Sequence, residues 1–352
     1  IQPDYTDSIY FFHTMPDPTL ITEVRYTELG HMLHPEGSRR QPMPRFDDEF
    51  IDIADYIIRI TYRIWEMKQI ERIRDYYEPE MRIHTMAGFI DGAELVVDNT
   101  EATLRTFPDR TLWGDDVIWS SNNGEDFYSS HRIVSNMTYL GASDWGAPNG
   151  RHATVMTIAD CAVRANRVYE EWLVRDNLSL VLQLGLDPAL LARQQAGART
   201  AEMQQYIEQQ RYETKLAQGG MVQNAPIAKA LAALWLGDAQ TALAQYYAPA
   251  VSSEVPAGRR LNGQGEVLAW WQYLRAICQN PCFSADHLCQ TLSESDAGTE
   301  VALRWRVSAQ CSRTGQPIYI LGVTHWHLVA GKVVREWLVF DELALMSQIC
   351  EQ

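Results

Sequence analysis

Two apolar stretches of this chain carry isolated ionisable side chains, the pattern expected of acid–base chemistry in a pocket. Asp160 sits in HATVMTIADCAV, which has almost no other charge. A carboxylate desolvated there could act as a general acid or base, or could be held by an arginine such as Arg132. His131 lies in FYSSHRIVSN. Strand alternation puts Ser129, His131 and Ile133 on one face and Arg132 on the other, so a concave face there would let His131 pair with Asp160 as a tuned base. His325 and His327 are two apart and share a face, with Trp326 opposite. With Glu336 they form a second acid–base or hydrogen-bonding set. The same three side chains, or His287 in place of Glu336, have the composition of a metal site, but no further ligand stands in register. Cys282, His287 and Cys289 follow a Cys-x4-His-x-Cys spacing that matches no structural zinc site. No metal is therefore expected. Trp119, Tyr139 and Trp172 in the first half and Trp305, Tyr319 and Trp337 in the second are the candidate pocket walls. They suit an apolar ligand, aromatic or polycyclic.

No Gly-rich dinucleotide motif, phosphate loop, nucleophile elbow or H-E-x-x-H occurs, so no cofactor is expected. The formal net charge of -15 disfavours nucleic acid and anionic membrane as partners. No apolar run is long enough for a membrane span, and the first residues lack a basic region before an apolar core. Six cysteines without a CxxC pair read as free thiols, which places the chain in the cytoplasm.

The elements that must position these groups can be read along the chain. Residues 1–45 are irregular and Pro-rich, an expected N-terminal arm. Phe50, Ile53, Ala54, Ile57, Ile60 and Ile64 recur at helical spacing. A second helical stretch, 67–76, a short strand with a turn at Asp91-Gly92, and a helix over 93–107 follow. Four strands then run between 113 and 175, and a helix from Asn177 stops at Gly185. Residues 187–225 read as an inter-domain helix with a loop. The order of elements then repeats from 226 to 352. NRVYEEWLVRDNLSLVLQLG (166–185) aligns without gaps to GKVVREWLVFDELALMSQIC (331–350), with 9 identities in 20 positions. Glu171/Glu336, Trp172/Trp337 and Asp176/Asp341 are among them. The two aspartates precede helices and suit N-caps.

The ending GKVVREWLVFDELAL after GVTHWH, and its counterpart NRVYEEWLVRDN after APNG, resemble the SnoaL-like polyketide cyclase family of the nuclear transport factor 2-like superfamily. The resemblance covers about 47–186 and 226–350. It implies an α+β fold in two tandem copies, 46–186 and 226–352. Each would be a cone of helices on a curved, mostly antiparallel sheet around a pocket. It also implies cofactor-free chemistry on an apolar substrate: proton transfer next to a carbonyl, as in a cyclase, isomerase or dehydratase. The family's acid–base pair falls on Tyr139 and Ala159, with Asp160 one position on, and on Thr324 in the second copy, so neither copy keeps it. The alternative is a non-catalytic tandem in which one domain binds a ligand and the other is a scaffold. Such sheets pair by an open face, so the two domains are expected to pack on each other or across a homodimer.

Overall fold

The computed structural model describes residues 39, 41–121, 123–217, 222–290 and 298–350; most of the expected N-terminal arm lies outside them. The first helix, α1 (Ile53–Thr61), opens where the Asp52 carboxylate accepts the backbone N–H of Asp55, and Ile53, Tyr56, Ile57 and Ile60 form its buried stripe. A π-helical turn, Tyr62–Glu66, continues it. The stretch expected as one helix over 67–76 is instead a 3-10 turn and the short α2 (Ile73–Tyr76).

Strands β1 (Tyr77–Thr85) and β2 (Gly88–Asp91) form a hairpin, followed by α3 (Ala93–Thr106). Then come β3 (Thr111–Ser121), β4 (Asp126–Thr138), β5 (His152–Arg164), β6 (Arg167–Arg175) and α4 (Asn177–Gln183). The segment expected as one linking helix is two: α5 (Pro188–Ala198) and α6 (Ala201–Leu216), each capped by its own side chain, Asp187 and Thr200. The second unit runs α7 (Pro226–Leu236), α8 (Ala239–Tyr246), β7 (Tyr247–Val255), β8 (Arg259–Asn262) and α9 (Gly263–Ile277). It ends with β9 (Cys278–Gln290), β10 (Thr299–Cys311), β11 (Pro317–Val329), β12 (Lys332–Phe340) and α10 (Glu342–Ile349).

Each unit has one six-stranded sheet, and the two have the same order: β2-β1-β6-β5-β4-β3 and β8-β7-β12-β11-β10-β9. Only β1 with β6 and β7 with β12 pair in parallel; the other neighbours are antiparallel. The repeat seen in the sequence is therefore a repeat of topology. The α+β class and the tandem of two like domains follow from it.

The two sheets meet face to face, β3 against β9 and β10, and β12 against β5 and β6. In β4 and β10 the ladder registers Ser130↔Asp160 and Ala302↔His325 make Arg132 and Arg304 equivalent positions. Each reaches across to the other domain. The Arg132 guanidinium lies 3.6 Å from the Trp337 ring centroid, and that of Arg304 lies 3.4 Å from Trp172. Trp172 and Trp337 are themselves equivalent, so the contact is reciprocal, as at a two-fold axis. The symmetry breaks at the partner carboxylate. Arg304 pairs with Asp160 at 2.6 Å, whereas the counterpart of Asp160 is His325, and Arg132 turns to Asp115 on its own sheet, also at 2.6 Å. Helix α6 bridges the two, touching β2 on one side and β9, β10 and β11 on the other. The turn at Ala257 and Gly258 donates two backbone N–H groups to Asp176.

Candidate functional site

Alternation along three adjacent strands of the first domain builds one wall. Glu171, Leu173 and Arg175 of β6 stand across from Cys161, Ala159 and Thr157 of β5, and His131 and Ile133 of β4 stand across from Ala159 and Thr157. All of these face a cavity of about 540 Å³ between the sheet and α1 and α3. Ile57, Ile60, Trp65, Ile83, Met86 and Val96 make most of its apolar lining. Asn177, Gln195 and Asp341 close one end of it. Volume and lining are those of a small-molecule site.

The polar groups in this cavity are few and perturbed. Glu171 is buried, and burial pushes its carboxyl up to about 7, against the pull of the Tyr77 hydroxyl, which donates to it at 3.0 Å, and of Arg175. The acid and carboxylate forms are thus nearly balanced at neutral pH, the condition for a general base. His131 is pushed down to about 3 by burial and by Arg132, so its imidazole is neutral. Its Nδ1 lies 3.5 Å from the Thr61 hydroxyl, and its Nε2 has no partner. Gly114 makes room for the ring: a Cβ there would come within 2.7 Å of Nε2. Glu171 and His131 lie two strands and two residues apart, roughly 12 Å at the usual strand spacing and rise, so a bound molecule could sit between them.

Keeping Glu171 protonated in the fold has a consequence for stability. Its folded pKa exceeds its unfolded one, so the folded state binds more protons between about pH 4.5 and 7, and stability falls as pH rises through that window. Replacement by Gln removes the titration. Glu171→Gln is expected to be more stable than the parent at pH 8 by up to about 3 kcal/mol, with the gap closing near pH 4.5. Urea unfolding at the two pH values measures this. A gap that does not change with pH would show that Glu171 is not held protonated by the fold.

The second domain keeps the frame of this site and fills it. By the shared registers Glu336 stands for Glu171, Leu303 for His131, Gly322 for Thr157 and Phe340 for Arg175. Trp305 replaces Ile133 and Trp326 replaces Cys161, and both rings are fully buried. Trp305 lies directly over Gly322, where a Cβ would meet its ring at 2.2 Å. Glu336 is held by three donors: Tyr247 at 2.6 Å, Ser253 at 2.8 Å and Trp326 at 2.9 Å. Gly322→Ala is therefore expected to destabilise the second domain by about 1–3 kcal/mol through overpacking, read as a lower urea midpoint; an unchanged midpoint would mean the ring can move aside.

The sequence-expected residues divide accordingly. His131 lines the cavity. Asp160 does not join it, because the register pairs His131 with Ala159 and leaves Asp160 on the opposite face, against the second domain. Its partner there is Arg304, not Arg132. His325 is likewise between the domains, its Nε2 2.8 Å from the Ser130 hydroxyl. His327 pairs with Glu300 at 2.6 Å. The set of His325, His327 and Glu336 is not assembled, since Glu336 points to the opposite side of its sheet. None of the six aromatic candidates lines the cavity. Trp172 and Trp337 lie under the cross-domain arginines, and Trp305 fills the second cone. Tyr139 is bonded to Gly146 O at 2.6 Å, Trp119 packs on Phe127, and the ring of Tyr319 is buried in the second core. Asp176 and Asp341 do cap helices, accepting from Ser179 and Ala344.

The sequence alone does not mark Glu171, Tyr77, Arg175, Arg110 and Thr157 as site residues. The signal lay in the recurrence of Glu171 as Glu336 and in the Glu-x-Leu-x-Arg alternation of β6. Among the described residues no three His, Cys, Asp or Glu side chains converge as metal ligands, and no helix is long and apolar enough to cross a membrane.

Residues 227–336 match the SnoaL-like domain family. A comparison with curated proteins finds no significant match. Among solved structures, IdmH from Streptomyces antibioticus, a proposed polyketide cyclase, is 24% identical and covers 38% of this chain and 98% of its own, with a TM-score of 0.33. TsrD from Streptomyces laurentii is 18% identical over 38% of this chain and 91% of its own, TM-score 0.32. A hypothetical protein of ketosteroid isomerase-like fold from Catenulispora acidiphila, in complex with trimethylamine, is 15% identical over 35% of this chain and 90% of its own, TM-score 0.30. Residues 227–336 thus match a SnoaL-like domain, and the first unit repeats the six-stranded plan of the second.

Proposed function

We propose that the first domain is a cofactor-independent enzyme of SnoaL-like type, and that it moves a proton next to a carbonyl in an apolar substrate. The observation that carries this reading is Glu171: a buried carboxyl near neutral pKa on the wall of an apolar cavity. In its carboxylate form Glu171 takes the proton from the carbon beside the carbonyl. Tyr77 orients it through the hydroxyl bond. The neutral imidazole of His131 can offer one N–H to the oxygen on which charge develops, without needing to lose a charge itself. The resulting enolate could be reprotonated, lose a leaving group or close on a second carbonyl, and the wall residues do not choose among these.

For the second domain the supported reading is a scaffold, because its cone is occupied by Trp305 and Trp326 and its carboxyl is fully bonded. Exchange of solvent deuterium into a panel of ketones and 1,3-dicarbonyls, followed by NMR, tests the enzymatic reading. Catalysed exchange by the parent and its loss on changing Glu171 support it; no exchange with any member speaks for a binding protein.

A further inference from the structure

At the Asn177–Asp341 end of the cavity two arginines face the open space. Arg175 lies on the cavity face of β6 and is half-buried. The two carboxyls nearest it are bonded elsewhere: Asp341 by the Ala344 N–H and Asn177, and Glu171 by Tyr77. Among the described residues the Arg175 guanidinium donates no hydrogen bond and has no ion pair within 4 Å; Asp341 and Glu171 act on it only through longer-range charge. Arg110 is 7% exposed. It reaches only the Ser135 hydroxyl, at a long 3.5 Å, and its Nε is buried without a partner. Burial, and after it the nearby charge of Arg175, push Arg110 down to about 9, so the two cations stand close enough to repel each other. Thr157, 3% exposed and directly across the ladder from Arg175, has an unpartnered hydroxyl.

Two like-charged guanidinium groups, one buried and one half-buried, and a buried free hydroxyl are costly to keep side by side unless something answers them. The second domain illustrates the point: where Trp305 and Trp326 pack into the cone, Phe340 and Gly322 stand in place of Arg175 and Thr157. The carboxyls near the pair are Glu171, Asp341 and Glu66, the last bonded to the Leu112 N–H. None of these carboxyls hydrogen-bonds either guanidinium, so the N–H groups of both remain available to a ligand.

We infer that Arg175, Arg110 and Thr157 form a carboxylate-binding subsite, so that the ligand of this cavity is an apolar carboxylic acid held at that end with its body along the wall toward Glu171. The inference rests on the cavity being a ligand site, but it does not need Glu171 to be a catalyst. Guanidinium groups favour a carboxylate because its two oxygens match their paired N–H groups.

The test compares two probes of the same shape, naphthalene-2-carboxylate and 2-naphthylmethanol, by calorimetry and by the fluorescence of the protein, whose Trp65 lines the cavity. The carboxylate is expected to bind at least tenfold more tightly than the alcohol. Arg175→Met and Arg110→Met should reduce that ratio to about one while leaving the alcohol's affinity within about threefold, and Arg175→Lys should restore part of it. Glu171→Gln should preserve or increase the ratio. Equal binding of the two probes by the parent protein overturns the proposal without any variant, as does failure of both to bind. Displacement of the carboxylate by inorganic phosphate at lower concentration would reassign the site to a phosphate ligand. A tenfold carboxylate preference with no deuterium exchange would leave this subsite standing while removing the catalytic reading of Glu171.

Discussion

Glu171→Gln is expected to lower proton exchange into a ketone substrate by about 10²–10⁴-fold, the range a positioned general base supplies. The substitution keeps the shape and the capacity to accept from Tyr77, so a loss of that size would come from basicity and not from packing. The pH profile gives a second, independent readout. The base acts only when deprotonated, so the rate of the parent should rise with pH and level off above about 7, where the Glu171 carboxyl titrates. Tyr77→Phe removes a bond that favours the carboxylate. It should therefore move that limb to higher pH with less effect on the plateau rate. Should Glu171→Gln retain the parent's rate, the base lies elsewhere in the cavity. A plateau beginning near pH 4 would mean the carboxyl is not desolvated as its surroundings require.

The second large effect concerns the junction of the domains. Arg304→Met should cost about 3–5 kcal/mol, because it leaves Asp160 buried without its counter-ion. The side chains of Arg304 and Asp160 are 8% and 4% exposed, so water cannot replace the lost partner. The stacking of the guanidinium on Trp172 is lost as well. The combined change Arg304→Met with Asp160→Leu should recover most of the loss, since an apolar pair of similar volume often replaces a buried ion pair without cost. Equilibrium unfolding in urea of the parent, the single variants and the double variant closes the cycle. A loss below about 1 kcal/mol for Arg304→Met would mean that Asp160 finds water or another partner, and the pair would then be incidental to how the domains join. The same argument applied to Arg132 and Asp115 predicts a loss within the first sheet, with the junction felt only through Trp337.

Much of this architecture is legible before folding is considered. The gap-free match of 166–185 to 331–350 reports a strand, a capping aspartate and a helix built twice, because each side chain in it does a local job that both copies need. Asp176 and Asp341 accept helix N–H groups, and Glu171 and Glu336 both take a tyrosine hydroxyl. Apolar periodicity likewise places α1 and the long strands, since helix and strand repeats depend only on neighbours along the chain.

Which face of each strand holds the site could be learned only from how the chain packs in three dimensions. Alternation labels two faces and says which is inward only when the other meets water. Here both are buried, one under helices and the other under the second domain. Asp160 and Glu171 are both buried carboxyls on neighbouring strands, yet one ties the domains together and the other faces the cavity. The fate of the two hollows is equally non-local: a glycine at 322 matters because Trp305, seventeen residues away on the next strand, needs the space that Thr157 would occupy in the other copy.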